Sequence, residues 1–163
     1  ELKDSTLSPD ALVMENACRK AEEAASRLEK DAAVLGADTV VALDGKIFGK
    51  PKDEKDAARM LSELSGRSHE VYTGIAIVAN GKTFRAVEKT LVEFRTISDE
   101  EIKKYIKTGE PMDKAGAYAV QGIAAKFIPR IEGSFSNVVG LPIAAVDSLA
   151  RKAGVELYGN IDA

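Results

Sequence analysis

The chain has 163 residues, of which 45% are hydrophobic and 30% are charged, and its formal net charge is −3. This length favours one compact domain, and the composition is that of a globular protein. No apolar run approaches the roughly 20 residues that span a bilayer, and no basic block interleaved with aromatics indicates a nucleic-acid polymer as partner. We therefore expect neither insertion into a membrane nor binding to a nucleic-acid polymer.

Helical spacing, β-branched runs and turn residues alternate along the chain. Ser8-Pro9 is typical of a helix start, Asp44-Gly45 and Asn80-Gly81 of hairpin turns, and Ser98 with Glu101 of a capping box. The predicted elements are, in chain order, a helix from Pro9 to Glu29 or Lys30, strands at 34–43 and 46–48, a helix between Asp53 and Gly66, strands at 69–79 and 82–95, a helix between Ser98 and Gly109, a strand at 125–131, a loop at 133–142 and a helix at 142–152.

Asp38 stands inside the apolar strand predicted at 34–43. A carboxylate in such a setting costs several kcal/mol unless it meets a cation, a metal or hydrogen-bond donors. Asp38 could therefore be a general base or a metal ligand, or a structural carboxylate bonded to neighbouring amides. Lys50, twelve residues later beside a turn, could contact phosphate or be a solvated lysine. Lys20 lies among charged neighbours and by itself indicates a solvated helix face.

Two further loops carry polar side chains. The glycine-rich segment from Asp113 to Gly122 is either a ligand-binding loop or a tight connection between packed elements. The segment 133–137 offers hydroxyls without an adjacent base, so we interpret it as structural or as a pocket wall. With one histidine, His69, and one cysteine, Cys18, the chain lacks the ligands of a zinc site. An oxygen-ligand site for Mg²⁺ or Mn²⁺ remains, and the single cysteine favours a cytoplasmic location.

Five segments, in this order, resemble the Maf family, which was first named for septum formation. They read GADTVVALDGKIFGKPKD, MLSELSGRSHEVYTGIAIV, ISDEEIKKYI, DKAGAYAVQG and IEGSFSNVVGLP. The resemblance implies an α/β fold of the Maf and inosine-triphosphatase-like kind, with a mixed twisted sheet, flanking helices and two lobes around a cleft. It also implies hydrolysis of a nucleoside triphosphate to a monophosphate and pyrophosphate with a divalent metal cation, in a protein that is commonly a homodimer.

The branch acting on dTTP and UTP is the most similar, because this chain has the pair Asp38-Thr39 and the loop from Ala115 to Gly122. The site residues that the resemblance implies are Asp38 as catalytic base and metal ligand, Glu1 as a second metal ligand, Lys20 and Lys50 as phosphate contacts, and Thr39 and Gln121 as residues that select the base. Lys114, in the glycine-rich segment, is a further candidate for a phosphate contact.

Family members begin with a strand and a loop of the form SxSPRR, and no such segment precedes Glu1. We therefore expect a single Maf-like domain over 1–163 without that segment. If the chain is truly truncated, the sheet should lack an edge and catalysis should be weak or absent. The alternative function is a nucleotide-sensing regulator of cell division that uses the same cleft without turnover.

Overall fold

The computed structural model describes residues 6–29 and 31–159. Its helices and strands are α1 (Pro9–Ala25), β1 (Val34–Leu43), β2 (Lys46–Phe48), α2 (Glu54–Leu64), β3 (Ser68–Ala79), β4 (Lys82–Glu93), α3 (Asp99–Ile106), β5 (Arg130–Glu132), α4 (Phe135–Val139) and α5 (Ile143–Ala153). Three 3₁₀ turns lie between α3 and β5, at Glu110–Asp113, Ala115–Ala117 and Ile123–Phe127. In the described ranges, no helix is both long enough and apolar enough to cross a bilayer.

The strands form one sheet in the order β2-β1-β3-β4-β5, and every pairing among the described residues is antiparallel. Helices pack against this sheet, which confirms the predicted α/β class. β1 pairs with β3 along most of its length and places Asp38 opposite Gly74. On its other side, β1 pairs with β2 only from Val41 to Leu43. The part of β1 that holds Asp38 therefore lies at an edge of the described sheet.

Helix α1 lies directly on the backbone of β1 and β3. A Cβ atom on Gly74 would lie 2.3 Å from the carbonyl oxygen of Val13, and one on Gly36 would lie 2.5 Å from that of Ala17. Only residues without a side chain permit this approach. Because Gly36 and Asp38 are two apart in a strand, they share the face that α1 covers. The helix is thereby held against the strand that carries Asp38.

The opposite face of the sheet carries most of the core. Its largest cluster joins β1, β3 and β4 to α2, α3 and the turns that follow, through side chains that include Phe48, Leu61, Phe94, Tyr105 and Phe127. A smaller cluster seats α5 on β3 through Ile75, Ile77, Val146 and Leu149. These two clusters bring the 110–142 region over β1 and β3.

Most predicted elements agree with the structure within two residues at each end, and three predictions were wrong. Helix α1 ends at Ala25 rather than near Lys30. The Ser26 hydroxyl donates to the Glu23 carbonyl oxygen at 2.7 Å, and Leu28 is 55% exposed, so no contact with the core extends the helix to it.

The strand predicted at 125–131 is confined to Arg130–Glu132. The residues before it form a 3₁₀ turn, because the Glu110 carboxylate accepts hydrogen bonds from the amides of Ile123 and Ala124. The segment predicted as a loop at 133–142 contains α4, which Ser134 caps by accepting from the Asn137 amide.

Candidate functional site

Asp38 is held by two side chains of α1. Its Oδ1 lies 2.7 Å from Lys20 Nζ, and its Oδ2 accepts from Asn16 Nδ2 at 3.0 Å. Lys20 also donates to the Ala37 carbonyl oxygen at 3.4 Å. The Asp38 side chain is 10% exposed, so its charge is largely removed from water and is compensated by an ammonium and an amide. The expectation that this carboxylate meets a cation and hydrogen-bond donors is confirmed.

Thr39 faces the other side of the sheet, as the alternation of a strand requires. Its hydroxyl oxygen lies 2.8 Å from that of Thr73 and 3.3 Å from the carbonyl oxygen of Gly140. Thr73 lies 3.4 Å from the carbonyl oxygen of Asn137. The two threonines therefore attach α4 and the Gly140 that follows it to β1 and β3, next to Asp38.

A cavity of about 920 Å³ runs along this part of β1 and reaches both faces. Its cationic lining residues are Lys20, Lys46, Lys50, Lys52, Arg59 and Lys114, against the acids Asp38, Asp56 and Asp113. Lys46 and Arg59 are paired with Glu63. Lys50 and Lys52 form no ion pair with any residue in the described ranges. The excess of cations, including lysines without a carboxylate partner, suits an anionic ligand such as a polyphosphate.

A strained turn brings Lys114 to this cavity. Gly116 and Ala117 have consecutive positive φ values of 69° and 62°, and the left-handed conformation costs a residue with a Cβ about 1–2 kcal/mol. The Gly116 amide donates to the Gly49 carbonyl oxygen at 3.1 Å. A Cβ on Gly116 would lie 2.8 Å from a methyl of Val41. Glycine is thus needed here both for φ and for the close approach that sets Lys114 beside Gly49 and Lys50.

The structure brings together five of the predicted site residues, which are Asp38, Thr39, Lys20, Lys50 and Lys114. Gln121 is exposed and is not among the residues that line the cavity. Glu1 lies outside the described residues. The roles of all seven stay predictions.

Sequence reasoning missed Asn16, which is 3% exposed. A signal was available, because Asn16 lies on the same helical stripe as Leu12, Val13 and Ala17 and four residues before Lys20. An amide on a buried helix stripe calls for a buried partner, just as Asp38 does on its strand.

The described residues hold no group of three His, Cys, Asp or Glu side chains that could bind a metal ion. Both oxygens of Asp38 already accept from α1. Mg²⁺ is nevertheless commonly bound by one or two carboxylates together with substrate phosphates. Within the described residues, the site fits a divalent cation that arrives with a polyphosphate and takes Asp38 as its protein ligand.

Comparison with known proteins identifies a family and several similar proteins. Residues 1–153 match the sequence model of the family described as Maf-like protein. A protein of Pelotomaculum thermopropionicum is 51% identical over 150 residues, which cover 91% of this chain and 78% of that protein. A protein of Dictyoglomus turgidum is 46% identical over 152 residues, which cover 92% and 78%. One of Hydrogenovibrio crunogenus is 50% identical over 147 residues, which cover 90% and 77%. All three relatives are named dTTP/UTP pyrophosphatase.

Proposed function

The chain belongs to the Maf family, and from that premise we propose that it is a nucleoside triphosphate pyrophosphatase that acts on dTTP and UTP. The reaction is hydrolysis between the α and β phosphates, which gives a nucleoside monophosphate and pyrophosphate. The observation that carries the proposal is the buried Asp38 carboxylate, held by Lys20 and Asn16 at the wall of a cavity rich in lysines. The choice of dTTP and UTP as substrates rests on the names of the relatives.

In this mechanism, the lysines of the cavity bind the triphosphate. Lys50 and Lys114 stand on the two segments that the Gly116 to Gly49 hydrogen bond joins, so one triphosphate can contact both. Lys52 forms no ion pair in the described part of the chain and adds a further positive charge, whereas the Lys114 ammonium is shared with Asp113, whose Oδ1 is 2.5 Å away. Fixed cations that need no rearrangement stabilise the charge that develops on the leaving pyrophosphate.

Asp38 is the proposed base. Lys20 and Asn16 hold its carboxylate in one orientation, so that it can orient the attacking water and accept its proton. A bound divalent cation, Mg²⁺ or Mn²⁺, would be held by Asp38 and would offset negative charge on the phosphate oxygens. The Lys20 ammonium lies 2.7 Å from the carboxylate and compensates its charge.

We propose Thr39 and Gln121 for selection of the pyrimidine base. Because Gln121 is exposed and does not line the cavity, it can meet only a base that projects beyond the lining residues. The Gln121 amide can donate and accept at once, which matches the O4 and N3 edge of uracil and thymine, whereas an ionised carboxylate only accepts. The Thr39 hydroxyl already contacts Thr73 and Gly140. Its contribution is therefore the shape of the cavity wall at the segment after α4. We retain a homodimer and a cytoplasmic location as expectations, and light scattering of the purified chain measures the first directly.

A nucleotide panel tests the proposal. The purified chain is incubated with dTTP, UTP, dATP and GTP in the presence of Mg²⁺ or Mn²⁺, and pyrophosphate and single phosphate are measured separately. We expect pyrophosphate from dTTP and UTP and little product from the purines. Release of single phosphates would contradict cleavage between the α and β phosphates. Saturable nucleotide binding without product would instead favour the regulatory alternative.

A further inference from the structure

His69 is a buried side chain that the proposed mechanism does not use. It lies in β3 with 1% of its surface exposed, and its Nε2 is 2.8 Å from the hydroxyl of Tyr118. The rings of Phe94 and Tyr118 meet its imidazole edge-on at centroid distances of 4.9 and 5.4 Å. Its Nδ1 has no hydrogen-bond partner among the described residues. The contact with Tyr118 is thus the polar interaction of this side chain in the described structure.

Tyr118 belongs to the strained turn at the cavity. It lines the cavity and directly follows Gly116 and Ala117, the two residues with positive φ. The turn carries Lys114 at its start and is joined to Gly49 by the Gly116 amide. The Lys114 ammonium lies 2.5 Å from Asp113 Oδ1 and lowers the pKa of that carboxyl, which Lys50 lowers further.

Two buried hydroxyl groups hold the end of this turn. The Tyr118 hydroxyl meets His69, and the Tyr105 hydroxyl accepts from the Ala119 amide at 3.2 Å. A turn with a left-handed alanine persists only where its surroundings over-determine it. Loss of the contact with His69 removes one of those restraints while leaving the aromatic packing in place. Burial lowers the pKa of His69 to about 4, so the restraint is made by a neutral imidazole at neutral pH.

We propose that His69 is a positioning residue of the substrate site, which through the Tyr118 hydroxyl holds the 115–118 turn and keeps Lys114 beside Lys50. The effect on the substrate rests on the proposed function, whereas the effect on the turn does not. His69 contacts no phosphate in this proposal. It acts on affinity by setting where a lysine of the cavity stands.

The test uses two variants that keep an aromatic ring, Tyr118→Phe and His69→Phe, and their combination. The control is Tyr72→Phe. Tyr72 lies on β3, as His69 does, but it does not line the cavity, and its hydroxyl donates to the Glu70 carboxylate at 2.9 Å. Hydrogen exchange of the Gly116 and Ala119 amides measures the turn. Calorimetric titration with dTTP in metal-free buffer measures affinity without turnover, and KM and kcat are then measured with metal.

We expect each single variant to weaken dTTP binding and raise KM by about fivefold, the order of one lost hydrogen bond, while kcat falls less than twofold. Exchange at the two amides should accelerate by a similar factor, and the double variant should add little, since both changes break one contact. The control should match the unmodified chain.

Unchanged affinity and exchange in Tyr118→Phe and His69→Phe would overturn the inference, as would additive effects of the two changes. A fall in kcat as large as the rise in KM would also contradict the inference, because a misplaced binding lysine weakens substrate affinity before it slows the chemical step. If dTTP binds to the unmodified chain, and binds more weakly to the variants, but no pyrophosphate appears, the proposed function fails and the positioning role stands. An unmodified chain that binds no dTTP would overturn both.

Discussion

Acidification should destabilise the folded chain through His69. Burial lowers the pKa of this imidazole from 6.5 to about 4, so the unfolded chain takes up a proton near pH 6.5 while the folded chain resists it. The stability that the neutral imidazole contributes is complete above the pKa of His69 in the unfolded chain. It is lost as the pH falls toward the pKa of His69 in the folded chain. At 1.36 kcal/mol per pKa unit, the full difference is about 3 kcal/mol, of which about 2 kcal/mol is lost by about pH 5.

Urea denaturation of the unmodified chain and of His69→Phe measures this loss. The free energy of unfolding is determined at about pH 7.5 and about pH 5, a range chosen because carboxylates titrate mostly below it. Carboxylates whose folded pKa is depressed, such as Glu101 at about 2 beside Arg95, add stability that is lost only at lower pH. These carboxylates are also the same in the unmodified chain and in His69→Phe, so their contribution cancels in the comparison. The variant should lose about 2 kcal/mol less than the unmodified chain over this range.

Equal pH dependence in the two proteins would refute the reasoning. It would mean that the folded state takes up a proton at His69 as readily as the unfolded chain does. A proton titration of the His69 ring followed by NMR checks the same point directly, and a midpoint near 6.5 in the folded protein would also contradict the account.

Three further predictions concern single contacts. Gly74→Ala places a Cβ 2.3 Å from a backbone carbonyl of α1 and should lower the free energy of unfolding, measured with urea, by about 2 kcal/mol or more. Its control is Gly49→Ala, whose Cβ has open space around it and which should change the free energy of unfolding by less than about 0.5 kcal/mol. Ser98→Ala breaks a capping box and should cost about 1 kcal/mol, whereas Ser8→Ala, at an N-cap whose side chain makes no capping bond to a backbone amide of α1, should cost less. Gln121→Glu should lower kcat/KM for dTTP and UTP relative to other triphosphates without changing the unfolding midpoint, and an unchanged substrate ranking would exclude Gln121 from base selection.

The elements that could be predicted from the sequence are those whose signals are local. The hairpin turns at Asp44-Gly45 and Asn80-Gly81 and the capping box at Ser98 depend on residues within a few positions of each other, and all are present. The turn at 123–127 could not be predicted, because the carboxylate that fixes it belongs to Glu110, thirteen residues before. Helix α4 is likewise fixed from a distance, since Ser134 is bound to Thr90.

The candidate site was predictable to the same extent. Asp38 could be identified because a carboxylate in an apolar strand is anomalous in itself. Its contacts with Asn16 and Lys20 span 22 and 18 residues and depend on glycines that let α1 lie on the sheet. Periodicity places Lys20 on a solvated helix face, and only that packing brings its ammonium to Asp38.

Replacement of Asp38 tests the central claim most directly. Pyrophosphate release from dTTP is compared between the unmodified chain, Asp38→Asn and the control Asp44→Asn, which changes an exposed carboxylate at the β1–β2 turn. The account predicts that Asp38→Asn keeps the fold and loses at least about a hundredfold in kcat, the lower range of general-base contributions, while the control stays within twofold. Turnover by Asp38→Asn at the rate of the control would contradict it.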